Sequence, residues 1–202
     1  MGLTCNYLLE EKNIGVMKVN GNGQGKILTA EEMQRLFTHG FTKSRDKALF
    51  AICLFSGCRI SEALALKTTD IKNLTITFRK STTKGKLKTR VVDIQPALAA
   101  ILEDYTPRKT PHKALFPGKH GVSEHLSRFM ADKILRSACK RIGVDGASTH
   151  SFRRTALTQM CNAGVPLRHI QDISGHNDLG VLQKYLEVSP EDRKKAVSVI
   201  GF

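Results

Sequence analysis

Eight apolar residues in succession, Ala48 through Phe55, run directly into Ser56-Gly57. With four polar residues ahead of it and a glycine behind, the segment reads as a helix over about Ser44 to Ser56, apolar on nearly every side. A helix with no polar face has to lie at the centre of its domain, so the rest of the chain is expected to wrap around it. The 202 residues suffice for one domain with a real core, and 41% hydrophobic content fits a globular protein. No apolar run approaches the length of a membrane span.

Ahead of that helix, Gly21, Gly23 and Gly25 mark residues 1–26 as a flexible tail or linker, with one folded domain expected over 27–202. Thr29-Ala30-Glu31-Glu32 is a capping box, and Met33, Leu36 and Phe37 follow at helical spacing. Leu74 to Phe78 and Thr89 to Ile94 alternate as strands and should pair as a hairpin. Pro96 opens a helix through Leu98, Ile101 and Leu102, and Leu115-Phe116 are expected to touch the core. Ser123 to Ile142 reads as one longer helix with Leu126, Phe129, Met130, Ile134, Leu135 and Ala138 inward. The expected fold class is therefore mainly α with a small antiparallel β-sheet (α+β).

Charge narrows the choice of partner. Lys and Arg number 32 against 18 Asp and Glu, a formal net charge of +14, which exceeds what solubility requires and points to a polyanion. Aromatic residues are 6% with no Trp, so stacking on single-stranded bases is poorly supported and duplex phosphates are the expected target. Between the strands, Arg79 to Arg90 holds many basic residues and no acid; Lys84, Lys86, Lys88 and Arg90 recur with period two, so an extended segment would turn them to one face. A solvated hairpin tip explains most of these lysines, while one could reach a site and protonate a leaving oxygen.

Five cysteines without a CxxC pair argue for reduced thiols in the cytoplasm and against a zinc site. Cys53, Cys58, Cys139 and Cys161 read as small core side chains. Met1 to Glu11 lacks the pattern of a secretory signal. Neither a cofactor nor a metal is expected.

The chemistry concentrates between Ser148 and Leu186. His150 and Arg153 lie three residues apart, on one face of a helix and able to hold one anion. Gly164, Val165 and Pro166 separate that helix from a short one carrying Leu167, Ile170 and Ile173 inward and stopping at Gly175. His176 follows, Asn177 or Asp178 can cap a third helix, and Tyr185 comes nine residues after His176. Far upstream, Arg59 stands just after Gly57, at a junction suited to phosphate; pairing with Glu62 at i,i+3 is the plainer explanation of that arginine.

The ordered set Gly57-x-Arg59-x-Ser61-Glu62, His150-x-x-Arg153, Gly175-His176 and Tyr185 resembles the catalytic domain of the tyrosine recombinases, the phage integrase family, from about Gly25 onward. The resemblance implies site-specific recombination of double-stranded DNA through a 3′-phosphotyrosyl intermediate. Tyr185 would be the nucleophile, Arg59 and Arg153 would hold the phosphate oxygens, His150 would accept or steer the tyrosine proton and His176 would donate to a phosphate oxygen. The general acid would be Lys84, with Lys86 as the alternative, and Lys86, Lys88, Arg90 and Arg154 are candidate DNA contacts. It further implies a homotetramer on paired DNA sites, a monomer in free solution, and a cytoplasmic, nucleoid-associated location. A type IB topoisomerase and a non-catalytic DNA-binding module are the alternatives. Ser174 departs from the family, which often has an apolar residue before Gly-His. The family's usual N-terminal DNA-clamping domain is not found ahead of Thr29.

Overall fold

The computed structural model describes residues 25–82, 88–105, 113–118, 121–183 and 190–201. Its elements are α1 (Ala30–Arg35), a π-helical turn (Leu36–Gly40), α2 (Ser44–Ser56), α3 (Ile60–Leu64), β1 (Ile71–Lys72), β2 (Thr75–Phe78), β3 (Arg90–Asp93) and α4 (Pro96–Asp104). There follow β4 (Pro117–Gly118), β5 (Gly121–His125), α5 (Arg128–Ile142), α6 (Thr149–Asn162), α7 (Leu167–Ser174), α8 (Leu179–Gln183) and α9 (Pro190–Ser198). The domain is mainly α with a small antiparallel sheet, as its sequence pattern implies.

Helix α2 is the central one. Residues Ala48 to Cys53 are fully buried, and the helix packs against α3, α4 and α6. Phe50 stacks on Phe41 with centroids 4.9 Å apart, and Phe152 of α6 lies 5.0 Å from Phe50 on a tilted plane. Burying one such side chain contributes roughly 1.5–3 kcal/mol, so this aromatic cluster fixes α6 against α2. Helix α6 is itself buried along Ser151 to Thr158. Cys53, Cys58 and Cys139 are buried free thiols.

The three strands run in the order β1-β2-β3, all antiparallel. Asn73 and Leu74 take positive φ in the tight β1–β2 turn, the geometry that suits a twisted hairpin. In the β2–β3 pair Phe78 stands opposite Arg90 and Ile76 opposite Val92. Arg90 and Val92 point inward, Val91 and Asp93 outward.

The segment expected as one helix over Ser123 to Ile142 divides in two. Residues to His125 pair with β4 instead, and the Leu126 amide donates to the Phe116 carbonyl at 2.8 Å. Ser127 then caps α5, its hydroxyl accepting from the Met130 amide at 3.2 Å. With the helix starting there, Ala131, Leu135, Ala138, Cys139 and Ile142 face inward, while Phe129, expected inside, is 74% exposed.

The N-terminal boundary also moves. Gly25 and Lys26, read as linker, are bound to the domain: the Gly25 carbonyl accepts from Arg154 at 2.9 Å, and Lys26 pairs with Glu32. Leu28 is buried and its amide donates to the Thr155 hydroxyl at 2.8 Å.

Candidate active site

Two helices end in the same way around this site. Helix α2 stops on Gly57 at φ +59 and α7 stops on Gly175 at φ +69, the left-handed conformation that favours glycine. Arg59 follows the first corner by two residues and His176 follows the second by one. The carbonyls at such ends lack partners within their helix and carry the negative end of its dipole.

Arg153, from the second turn of α6, joins the two corners. Its side chain is almost wholly buried, and Nη1 donates to the Gly57 carbonyl at 2.7 Å and to the Ser174 carbonyl at 2.9 Å. Its Nη2 lies 2.8 Å from Nε2 and 3.1 Å from Nδ1 of His176. Burial, followed by the charge of Arg59, pushes Arg153 down to about 10, so the guanidinium is still charged at neutral pH.

His176 is buried, and the Ser174 hydroxyl meets its Nδ1 at 2.7 Å. Burial first, then Arg153 and Arg59, pushes the ring down to about 3. His150 is half-buried one turn before Arg153, and burial with Arg153, Arg59 and Arg154 lowers it too. Both imidazoles are thus neutral at pH 7, and each feels the same two arginines.

Glu62 is the carboxylate of the cluster and is 1% exposed. It accepts from the Arg59 amide at 2.8 Å and faces Arg59 Nη1 at 3.5 Å, the outer limit of a hydrogen bond. Arg90 makes the fuller contact, a two-pronged pair at 3.1 and 3.3 Å. Burial works to raise the Glu62 carboxyl, but the bonds and charge of Arg90, with Arg59, hold it below its ordinary value. Two arginines, Arg59 and Arg90, thus share one carboxylate, and Arg153 feels its charge without touching it.

Two of the expected DNA contacts turn inward in this geometry. Arg90 is 6% exposed, bonded to Glu62 and lying 4.2 Å over the Phe78 ring; it braces the site from inside. Arg154 is also 6% exposed and holds the Gly25 carbonyl. Lys88 does stand at the surface, paired with Asp172 at 2.6 Å, and the two border a cleft with Arg168, Gln171, Asn177 and His176. Lys84, Lys86 and Tyr185 lie outside the described residues. Asp178 caps α8 through the Gly180 amide at 2.8 Å.

The sequence casts Glu62 only as a partner for Arg59 and shows Ser174 only as a departure from the family pattern. The signal for Arg90 was present: it shares strand parity with Val92 and Ile94, which marks an inward position.

A mainly helical domain that gathers arginines and neutral histidines around one anion site defines a class, and comparison with known proteins supplies the family. The phage integrase family model matches residues 26–192, and the chain belongs to the phage integrase family. It is 27% identical over 180 residues to the tyrosine recombinase XerD of Listeria monocytogenes serotype 4b (strain F2365), covering 83% of this chain and 59% of that protein. Similarity to the tyrosine recombinase XerC of Roseiflexus sp. (strain RS-1) is 30% over 154 residues, 72% of this chain and 48% of that one. The chain thus spans about half to three fifths of the length of these two relatives. The fold matches the crystal structure of XerA recombinase with a TM-score of 0.71 at 20% identity, over 87% of this chain and 65% of the other.

Proposed function

We propose that this chain is the catalytic domain of a site-specific DNA recombinase that cuts and rejoins duplex DNA through a 3′-phosphotyrosyl link. The observation that carries the reading is the cationic cluster, in which Arg59 and Arg90 share Glu62 and Arg153 stands close enough to feel its charge. A phosphodiester supplies the negative charge that the cluster lacks, and more of it as the transition state builds. The net charge of +14 favours the same polyanion. A solved structure of similar fold, XerH recombinase bound to palindromic difH substrate as a post-cleavage complex, matches with a TM-score of 0.68 at 22% identity over 93% of this chain and 56% of that one.

In this reading the Tyr185 oxygen attacks phosphorus, its proton passing to neutral His150, while the bond to the 5′-oxygen breaks. Lys84 gives a proton to that oxygen, with Lys86 two residues on as the alternative donor. Arg59 and Arg153 hold the non-bridging oxygens and His176 donates to one of them. Religation runs the same steps backwards, so the phosphodiester energy is kept in the tyrosyl ester. The order and spacing of these residues, within a family match to residue 192, support the assignment. The protein acts on paired sites as a homotetramer, is a monomer when free, and works at the nucleoid in the cytoplasm. Among the described residues no helix is long and apolar enough to cross a membrane.

The test is covalent trapping on a library of nicked duplexes of randomised sequence. A denaturant-resistant adduct, lost in Tyr185→Phe and mapped to Tyr185 by mass spectrometry, is the expected result. No adduct with any duplex, or an adduct that survives in Tyr185→Phe, overturns the reading.

A further inference from the structure

The Ser174 side chain is fully buried, yet it carries a hydroxyl, and that hydroxyl sits 2.7 Å from Nδ1 of His176. It also lies 3.4 Å from the Gln171 carbonyl one turn back in α7, where it can donate. A buried hydroxyl is retained at a cost unless its partners need it. An apolar side chain would fill the same space, so the partners here specify the residue.

The hydrogen-bond directions decide what that contact does. An arginine N–H donates and never accepts; Arg153 Nη2 faces both ring nitrogens, Nε2 at 2.8 Å and Nδ1 at 3.1 Å, and the nearer, Nε2, presents the lone pair while Nδ1 has the Ser174 hydroxyl at 2.7 Å. The single proton of the neutral ring is thereby assigned to Nδ1, which donates to the Ser174 oxygen. The serine proton then turns to the Gln171 carbonyl. The donors thus run in one direction, from Arg153 Nη2 through His176 and Ser174 to the Gln171 carbonyl.

We propose that Ser174 is a positioning residue that holds the His176 ring in place while letting its proton change sides. The proposal rests on the recombinase reading above. When a phosphate oxygen takes the Arg153 Nη2 proton contact, Nε2 loses its donor and must itself become a donor to serve the phosphate. Nδ1 gives its proton to solvent and Nε2 gains one from solvent, so the ring stays neutral. The Ser174 hydroxyl, able to accept or donate, rotates from accepting the Nδ1 proton to donating into the Nδ1 lone pair. Nothing else has to move. An apolar residue supports neither tautomer.

Two experiments test this, one without DNA. In ¹⁵N NMR of the free protein, His176 of the wild type is expected to show a protonated Nδ1 and an unprotonated Nε2. Ser174→Ala is expected to move both signals toward averaged values, and Ser174→Thr, which keeps the hydroxyl, to restore them. Identical imidazole signals in wild type and Ser174→Ala overturn the proposal, whatever the protein does to DNA. The second is a double-mutant cycle on adduct formation with the trapped duplex. Ser174→Ala is expected to slow cleavage about tenfold with unchanged DNA binding, and to add nothing in a His176→Ala background. A full, additive loss in that background overturns the proposal, because Ser174 would then act without the histidine. Failure of the wild type to form any adduct would instead strike the recombinase reading and leave the NMR outcome to decide the serine.

Discussion

The corners after α2 and α7 are built alike and used differently. Each is a helix closed by a left-handed glycine with a functional residue just beyond. At the first corner, the Arg59 side chain is 27% exposed and shares Glu62 with Arg90. At the second, His176 is 5% exposed and is gripped by Arg153 and Ser174. The difference teaches a division of labour: the α2 corner presents a charge that a ligand can reach, and the α7 corner keeps a neutral ring in a set orientation. Arg153 belongs to neither corner and bonds the carbonyls of both.

The largest effects should come from the arginines. Arg59→Ala and Arg153→Ala are each expected to slow adduct formation by several powers of ten, each power being about 1.4 kcal/mol of transition-state stabilisation. They should part company in the free protein. Without Arg153 the two corners lose their shared donor, so amide hydrogen exchange should quicken at residues 57–59 and 175–177. Arg59→Ala should leave the second group as in wild type. Equal protection in both variants would break the distinction between a reaching and a tying arginine.

The glycines sharpen it next. A Cβ on Gly57 would find its nearest neighbour, Leu157, at 3.8 Å, so Gly57→Ala bears only the left-handed strain, roughly 1–2 kcal/mol. A Cβ on Gly175 would come within 2.8 Å of Arg90 Nη1, itself locked to Glu62. Gly175→Ala should therefore cost more, roughly 2–4 kcal/mol in urea unfolding. Equal costs would mean that Arg90 gives way freely.

Acid should act mainly through the second corner. The folded His176 is held down to about 3 against an ordinary 6.5. The stabilisation from its neutral form is thus complete above 6.5 and is lost as pH falls from there toward 3. His176→Asn should shrink that loss and leave the share of His150, whose ring is lowered too. What remains below the ordinary carboxylate value of 4.5 belongs partly to Glu62, whose folded value is also lowered. An unchanged acid limb in His176→Asn would show that the ring is accessible to protons. The smallest effect is expected at the rim: Lys88→Ala removes an exposed ion pair with Asp172, and its melting temperature should match wild type.

Much of this was legible because local signals agreed with the tertiary answer. Helix α2 is bounded as its apolar run and glycine imply, and the β2–β3 hairpin and α4 lie where alternation and Pro96 place them. The stretch before α5 was misread because Leu126, Phe129 and Met130 satisfy a helical period, while pairing with β4 wins once Phe116 is in place. Arg90 and Arg154 were misread for one shared reason. A long cation is ordinarily assigned to the surface, and the sequence does not display the buried carboxylate, ring or carbonyl that pays for bringing it inside. Arg153 stands out in the sequence by its spacing to His150, yet its bonds to two main-chain carbonyls leave no mark in side-chain identity.

The attachment at Gly25 has a mechanical consequence. Its carbonyl is bonded to Arg154, the neighbour of Arg153 on α6, and its α-carbon sits so near Ser148 and Ser151 that an added Cβ would come within 2.9 Å of the Ser148 hydroxyl. Tension or torque on the chain just ahead of Gly25 is thus delivered first to the opening turn of α6 rather than to α1. That turn carries His150, and the next carries Arg153. A pull transmitted there would act as a lever on His150 and Arg153, with the Arg154–Gly25 bond as its fulcrum.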